Sequence, residues 1–325
     1  MYPIVINCEM KKVFCLGESL IDFVAEKQGA DLSKANEFTK KAGGAPANVA
    51  CAIAKLGGKS SFIGCVGDDP FGRFLLQILD DHGVDLSLVQ RSEVFTTLAF
   101  VSLTEEGERD FVFSRGADRE LKYDTANKSN FEKNILHLGA ATALLGGNLE
   151  EAYSRYLFDA LTHDAFISFD PNFRTDLWKA NEANFIKKCL PFVEKSHLCK
   201  FSKEEAQLLS GKENLKEACN FLHDIGTQII VVTLGPEGTL VSTADIEQIV
   251  PSITVNPVDT TGAGDAFIGC LLQQIADLDT TDQLFNDSEC LTGMVKMANI
   301  AGAITTTNYG AIASLPTKEE LTSFL

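Results

Sequence analysis

Along the 325 residues, short apolar runs alternate with stretches in which apolar residues recur every three or four positions. That is the strand–helix rhythm of an α/β protein. Val13-Phe14-Cys15-Leu16 reads as a first strand, followed by a Gly17 turn and a second extended stretch, Leu20-Ile21-Asp22-Phe23. Pro46 suits the first turn of a helix that carries Val49, Ile53 and Leu56 on one face and ends at Gly57-Gly58. Residues 60–66 form the next strand, and the turn Gly67-Asp68-Asp69-Pro70-Phe71-Gly72 leads into a helix through Leu79. From Thr96 the rhythm changes. Residues 97–104 are rich in β-formers, Glu105-Glu106-Gly107-Glu108 is a turn, and 110–113 resume a strand. A hairpin outside the βα alternation reads either as a lid over a cleft, with Arg109, Arg115 and Asp118 as its polar contacts, or as a solvated sheet edge. The alternation returns with strands at 135–138, 165–169, 198–202 and 229–234, the last strongly apolar as in a parallel sheet. Helices are expected over 149–162, from Lys203, from Phe267 to Leu278, and over 292–304. With no repeat, low-complexity tract or Pro/Ser-rich linker, the pattern predicts one domain with a β lid.

Composition adjusts this picture in few respects. Hydrophobic residues make up 45% and charged residues 22%, enough apolar surface for a large core. A formal net charge of -17 argues against nucleic acid or an anionic membrane as partner. Any phosphate site must then be built locally, from backbone N–H groups, metal ions or a few basic side chains. The first twelve residues carry Glu9, Lys11 and Lys12 after a short apolar run, unlike a signal peptide, and no apolar stretch approaches a membrane span. The nine cysteines are irregularly spaced and form no CxxC pair, which fits reduced thiols in a cytoplasmic protein better than a disulfide framework or a zinc site.

The stretch with most chemical content is Val258-Asp259-Thr260-Thr261-Gly262-Ala263-Gly264-Asp265-Ala266-Phe267. Its glycines let backbone N–H groups turn toward a ligand, and a helix starting there adds partial positive charge, so the stretch can cradle an anion. Asp265 at its edge is placed to take a hydroxyl proton; equally, it can simply cap the helix. Asp22 interrupts an apolar run, either as a strand-end carboxylate in solvent or as an acceptor for a polyol. Gly43-Gly44 permits close approach to the backbone, and Asn48 lies within the first turns of the following helix. Asp170-Pro171-Asn172-Phe173-Arg174 falls at the carboxyl end of a strand, where open α/β sheets bind ligands. Ser202 with Glu205 three residues later makes a capping box. His137 reads as a packed strand histidine.

Taken in order from about Val13 to Pro316, these pieces resemble the ribokinase-like (PfkB) carbohydrate kinases, and are most similar to the fructokinases among them. The match is carried by Gly43-Gly44-Ala45-Pro46-Ala47-Asn48 with Gly67-Asp68, and by Asp259-Thr260-Thr261-Gly262-Ala263-Gly264-Asp265. It is supported by Gly17-Glu18 through Ile21-Asp22, by Asp170 to Arg174 with Leu177-Trp178, and by Thr233-Leu234-Gly235 with Gly238. The resemblance implies a three-layer α/β/α fold with a mostly parallel central sheet and a small β-sheet lid built from about residues 18–42 and 95–118. It implies that Asp265 is the catalytic base and that Gly262, Ala263 and Gly264 supply an anion hole. Asp22, Gly43, Gly44, Asn48 and Arg174 match sugar-binding positions, with Arg109 as a lid contact. Ser202, Thr233, Gly235, Gly238 and Asn299 fall on the ATP side, and Glu205 matches a glutamate acting on magnesium through water. Asp259, Thr261, Gly310 and Ser314 match positions that hold a potassium ion in some members. Two departures stand out: Ser202 where the family more often has asparagine, and Asn308 where ribokinase has arginine.

The activity implied is ATP-dependent phosphorylation of a ketohexose, fructose to fructose 6-phosphate. A 2-keto-3-deoxygluconate kinase shares the Asp170 to Arg174 and Leu177-Trp178 pattern but binds an acid sugar, for which Arg109 or Arg115 would be the extra basic contact. A catalytically silent sugar- or nucleotide-binding regulator on the same fold is the alternative of another class; the presence of Asp265 and both glycines speaks against it. An exposed hairpin lid suggests a homodimer in which edge strands meet.

Overall fold

In the first strand, β1 (Lys12–Leu16), Val13 and Cys15 enter one hydrophobic cluster and Phe14 and Leu16 enter another. Side chains alternate across a strand, so a strand buried on both faces separates two cores. The computed structural model describes residues 10–26, 29, 31–103, 109–178 and 181–324. Further strands in chain order are β2 (Leu20–Ala25), β3 (Phe38–Gly43), β4 (Lys59–Ile63), β5 (Cys65–Gly67), β6 (Gln90–Ser92), β7 (Leu98–Leu103) and β8 (Arg109–Ser114). They continue with β9 (Ile135–Gly139), β10 (Phe166–Asp170), β11 (Leu198–Ser202), β12 (Ile229–Thr233), β13 (Thr239–Ser242) and β14 (Glu247–Val250). The helices are α1 (Ala45–Lys55), α2 (Pro70–Asp81), α3 (Asn148–Thr162), α4 (Thr175–Trp178), α5 (Glu182–Lys195) and α6 (Lys203–Ser210). After these come α7 (Leu215–Ile225), α8 (Ala263–Asp277), α9 (Gln283–Asn286), α10 (Ser288–Thr305) and α11 (Lys318–Thr322).

The main sheet has the order β14-β13-β12-β11-β10-β9-β1-β4. Pairing is parallel from β4 through β12 and turns antiparallel only at β13 and β14. One face is covered by α1, α8 and α10, and the other by α3, α5, α6 and α7. The fold is thus a three-layer α/β/α sandwich. A second sheet, β3-β2-β7-β8, is inserted between β1 and α1 and after β6, within the segments expected to form the lid. Its core is small: Ile21, Val66 and Leu75 with Phe23, Phe71 and Phe74 partly buried around them.

Local chemistry explains most boundaries. Asp69 caps α2 by accepting from the N–H groups of Phe71 and Gly72 at 2.9 and 2.8 Å, with Pro70 in the first turn. Ser202 and Glu205 form the expected capping box on α6. The single strand expected over 60–66 is broken at Gly64, where a Cβ would run into the Phe62 ring and, at 2.7 Å, the Gly17 carbonyl. The chain leaves the main sheet there so that β5 can pair with β6. Helices α5 and α7 had no counterpart in the sequence reading; Pro191 within α5 obscures its periodicity. All eight described cysteines are free and seven are buried; Cys8 lies outside the described residues. Among the described residues no helix is long and apolar enough to cross a membrane.

Candidate active site

Parallel strands end on one edge of the sheet, and here β9, β10, β11 and β12 deliver Gly139, Asp170, Ser202 and Thr233 to that edge. The N-terminus of α8 arrives at the same place. Gly262, with φ of +82°, opens that helix, and a Cβ on it would overlap Ala311. No side chain caps the helix. The N–H groups of Gly262, Gly264 and Asp265 have no acceptor among the described residues, whereas Ala263 N–H donates weakly to the Thr260 carbonyl at 3.3 Å. A bare first turn of this kind carries partial positive charge and unmet donors, which suits an anion.

Asp265 does not cap its own helix. Its Oδ2 instead accepts a 2.8 Å hydrogen bond from Asn48 Nδ2 on α1, with both side chains buried. Burial pushes the Asp265 carboxyl up to about 6, against the opposing pull of the Asn48 amide, Lys200 and Arg174. Such a group is ionised at neutral pH yet basic enough to take a proton. The other atom of the Asn48 amide, Oδ1, is buried with no partner. Buried amides rarely leave an acceptor unmet, so this oxygen points to a donor that belongs to a ligand.

Lys200, a residue the sequence reading passed over, completes the floor of the site. Register places it on the same face of the sheet as Asp170, and its ammonium bonds Asp170 Oδ2 at 2.8 Å. A Cβ added to Gly264 would lie 3.0 Å from Lys200 Nζ, so the ammonium sits directly against the α8 turn. Burial disfavours its charge, but Asp170, Glu205 and Asp265 outweigh that and hold its pKa above the ordinary lysine value. Glu205 is buried as well, and burial together with Asp170 raises its carboxyl. Its two oxygens accept from the N–H groups of Phe173 and Ser202, each at 2.7 Å. His137, on the neighbouring strand, is buried against Ser168 and burial holds it down at about 4, so it is a neutral packed residue as expected.

The lid joins this floor through a hinge of glycines. Gly44 has φ of +104°, and a Cβ there would overlap the Glu18 backbone. Gly43 likewise makes room for the Asp22 carboxylate, which pairs across β2–β3 opposite Lys41. Glu18, the second residue missed, is buried; its Oε1 accepts from Ala45 N at 3.2 Å at the start of α1 and its Oε2 from Thr142 Oγ1 at 3.3 Å. Burial raises it to about 7, with Asp118 adding to and Arg174 opposing the shift. Arg174 therefore lies within electrostatic reach of both Glu18 and Asp265. An acid inside an otherwise apolar strand-turn segment was the available signal for Glu18, as a lysine inside Leu198-Cys199-Lys200-Phe201 was for Lys200. Arg109 begins β8, but its side chain lies outside the described residues.

On the other flank, Thr233 closes β12 opposite Ser202 and bonds the Phe201 carbonyl at 3.3 Å. Gly235 and Gly238 both take positive φ, and a Cβ on Gly238 would overlap the backbone of residues 250–252. Asn299 is fully engaged within the protein: it accepts from Thr239 Oγ1 at 2.6 Å and donates to the Val250 and Pro251 carbonyls. These bonds brace the wall of that flank. Asp259 ties two loops together, accepting from Thr261 N and Gly310 N, each at 2.9 Å. Burial alone would raise its carboxyl; these bonds and Lys41 bring it below the ordinary value. Ser314 Oγ is buried nearby in sequence with no partner. No group of three or more His, Cys, Asp or Glu side chains able to hold a metal occurs among the described residues.

Residues 10–318 match the family described as pfkB family carbohydrate kinase. Fructokinase-1 of Zea mays is 40% identical over 313 residues, covering 95% of this chain and 96% of that one. Among solved structures, a fructokinase from Xylella fastidiosa with bound ATP superposes with a TM-score of 0.85 at 30% identity, covering 97% of this chain and 98% of that one. A double mutant of fructokinase from Vibrio cholerae O395, in a form with fructose, ADP and potassium ion bound, gives 0.84 at 32% identity, over 97% and 98%. An uncapped helix start with a buried carboxylate is therefore met here in a chain that follows known sugar kinases over nearly its whole length. The chain belongs to the pfkB family of carbohydrate kinases, phosphotransferases that act on a sugar hydroxyl.

Proposed function

We propose that the protein is an ATP-dependent fructokinase that converts fructose to fructose 6-phosphate. The observation that carries this reading is the turn of Asp265 away from its own helix and onto Asn48, leaving the α8 N–H groups open beside a buried carboxylate of raised pKa. In the proposed step Asp265 takes the proton of the sugar hydroxyl as its oxygen bonds the γ-phosphorus. The bond from that phosphorus to the bridging oxygen breaks and ADP leaves. Charge on the transferring group is met by the N–H groups of Gly262 and Gly264, with Ala263 adding its own once its weak bond to Thr260 opens. Phosphoryl transfer is limited by positioning and charge neutralisation, which this arrangement supplies.

Asp22, Asn48, Arg174 and the backbone of Gly43 and Gly44 would hold the sugar, with Arg109 reaching from the lid; carboxylate and amide groups suit several hydroxyls at once. The orphaned Asn48 Oδ1 supports this, since a sugar O–H would satisfy it. Thr233, Gly235 and Gly238 would face ATP, while Ser202 and Asn299 shape that wall through the bonds described above. Magnesium, when bound, would supply positive charge to offset that of the phosphates, and Glu205 is the residue that would hold it. Glu205 fits it through water: backbone N–H groups already occupy one lone pair on each oxygen, and the remaining pairs can accept from metal-bound water. For a monovalent cation, the unpartnered Ser314 hydroxyl and the ionised Asp259 are suitable oxygen donors, with Thr261 and Gly310 in the same loops. A homodimer is part of the proposal. The half-buried row Val24, Val101 and Phe111, aligned across β2, β7 and β8, is the surface a second copy would cover.

The test is ADP release with fructose, glucose, ribose, adenosine and 2-keto-3-deoxygluconate under identical conditions. Fructose giving the highest kcat/KM supports the reading. Turnover with 2-keto-3-deoxygluconate and none with fructose would overturn the substrate.

A further inference from the structure

Arg115 was one of two lid arginines able, on sequence, to receive the carboxylate of an acid sugar. Its surroundings assign it otherwise. Where β7 pairs with β8, Leu98 lies opposite Ser114, and β2 pairs with β7 through Ile21 opposite Leu98. Continued one residue past the strand ends, that register sets Thr97 and Arg115 level with Leu20, two positions from Asp22. Side chains two apart on a strand share a face, and strands lie about 4.8 Å apart, so Arg115 belongs to the Asp22 face of the lid.

A neighbouring acid already holds that arginine. Arg115 Nε donates to Asp118 Oδ2 at 3.1 Å, and the Asp118 side chain is 0% exposed. The other carboxylate oxygen, Oδ1, accepts from Thr97 Oγ1, and Thr97 Oγ1 in turn accepts from Gly116 N at 2.9 Å. The Thr97 carbonyl accepts from Ile21 N at 3.0 Å, next to Asp22. Asp118 is therefore fixed by two side chains and tied, through Thr97, to the strand that carries the sugar-side carboxylate. The field of Asp118 also reaches Glu18 at the hinge.

We infer that Asp118 is a specificity-determining residue: by pairing with Arg115 under the lid it cancels a charge there that could receive an acid sugar. The inference rests on the sugar-kinase reading above. With Arg115 paired, a substrate carboxylate would meet Asp22, Asp118 and Asp265 on this side of the site, with Arg174 the cation near Asp265. A neutral ketose carries no charge to be repelled, and its hydroxyls can donate to the same carboxylates. Asp118 holds Arg115 by Nε alone; Arg115 Nη2 is buried with no partner among the described residues, a donor that a neutral sugar oxygen can meet.

The experiment compares wild type, Asp118→Asn, Asp118→Ala, Arg115→Met and the double variant Arg115→Met/Asp118→Ala. The kcat/KM for fructose and the competitive Ki of 2-keto-3-deoxygluconate are measured for each, with thermal melting as a check on folding. Freeing Arg115 should tighten the acid sugar relative to fructose by about 10- to 100-fold in the Asp118 variants, the size of one unit charge acting at roughly 8 Å in a surface-like dielectric. Arg115→Met should move the ratio the opposite way, and the double variant should return toward wild type. Asp118→Asn keeps the side-chain shape and an acceptor for Thr97, so it carries the test if the alanine variant fails to fold. A purely structural Asp118 would weaken both ligands alike. Ratios within about threefold of wild type in folded Asp118→Asn and Arg115→Met would overturn the inference while leaving the fructose reading intact. Wild type preferring the acid sugar would overturn the fructose reading itself.

Discussion

Asp265 shows how far one residue can be read before a fold is known. Its place after Gly262-Ala263-Gly264 gave two readings, helix cap or proton acceptor, that spacing could not separate. The hydrogen bond to Asn48, 217 positions earlier in the chain, removes the helix cap and leaves the proton acceptor as the proposal. Burying this carboxylate has a stability consequence with a definite sign. Its pKa in the native state, about 6, exceeds the unfolded value of 3.8. The native state therefore binds more protons between those values, and stability is lost as pH rises through the window. Asp265→Asn should accordingly be more stable than wild type at pH 7.5, by about 1–3 kcal/mol, with the gap closing near pH 4. Denaturant titrations at both pH values check this. An asparagine variant less stable than wild type at pH 7.5, or a gap unchanged at pH 4, would count against a strained native carboxylate. Function and stability pull apart here, as they often do at active sites.

At the scale of elements, legibility followed periodicity. Strands such as β12, apolar up to its last residue, and helices with clean start signals such as α2 and α6 were visible in the sequence because local chemistry alone specifies them. Helix α5 was not, since Pro191 breaks its pattern; α7 was passed over although Asn214 caps it and Leu215, Ala218, Cys219 and Leu222 recur at helical spacing. The Lys200–Asp170 pair escaped for a different reason. Nothing in either segment names the other; only the pairing of Ser168 with Leu198 and Phe169 with Cys199 brings the ammonium and the carboxylate together. The Gly64 break is similar: a glycine in an apolar run reads as a strand interior until the Gly17 carbonyl is known to pack against it. Most of the proposed sugar and phosphate contacts were legible because they lie in short contiguous motifs. The charges that balance them come from strands far apart in sequence and were not.

For the whole molecule, the net charge of -17 is compatible with a phosphate-transfer site because the positive character is concentrated locally, in the α8 turn, Lys200 and Arg174. The lid contributes little core of its own, which is consistent with a second copy covering its half-buried row. Sedimentation should then give a particle of twice the 35.3 kDa chain mass, and a particle of single-chain mass across a broad concentration range would rule that assembly out. The central claim is narrower: Asp265 is the base that activates the sugar hydroxyl. Its most direct test is kcat for fructose with Asp265→Asn beside wild type, in the presence of MgATP and with folding verified by melting. A fall of about 100-fold or more is predicted, with the wild-type kcat/KM declining below pH 6; a loss of less than about tenfold would contradict the account.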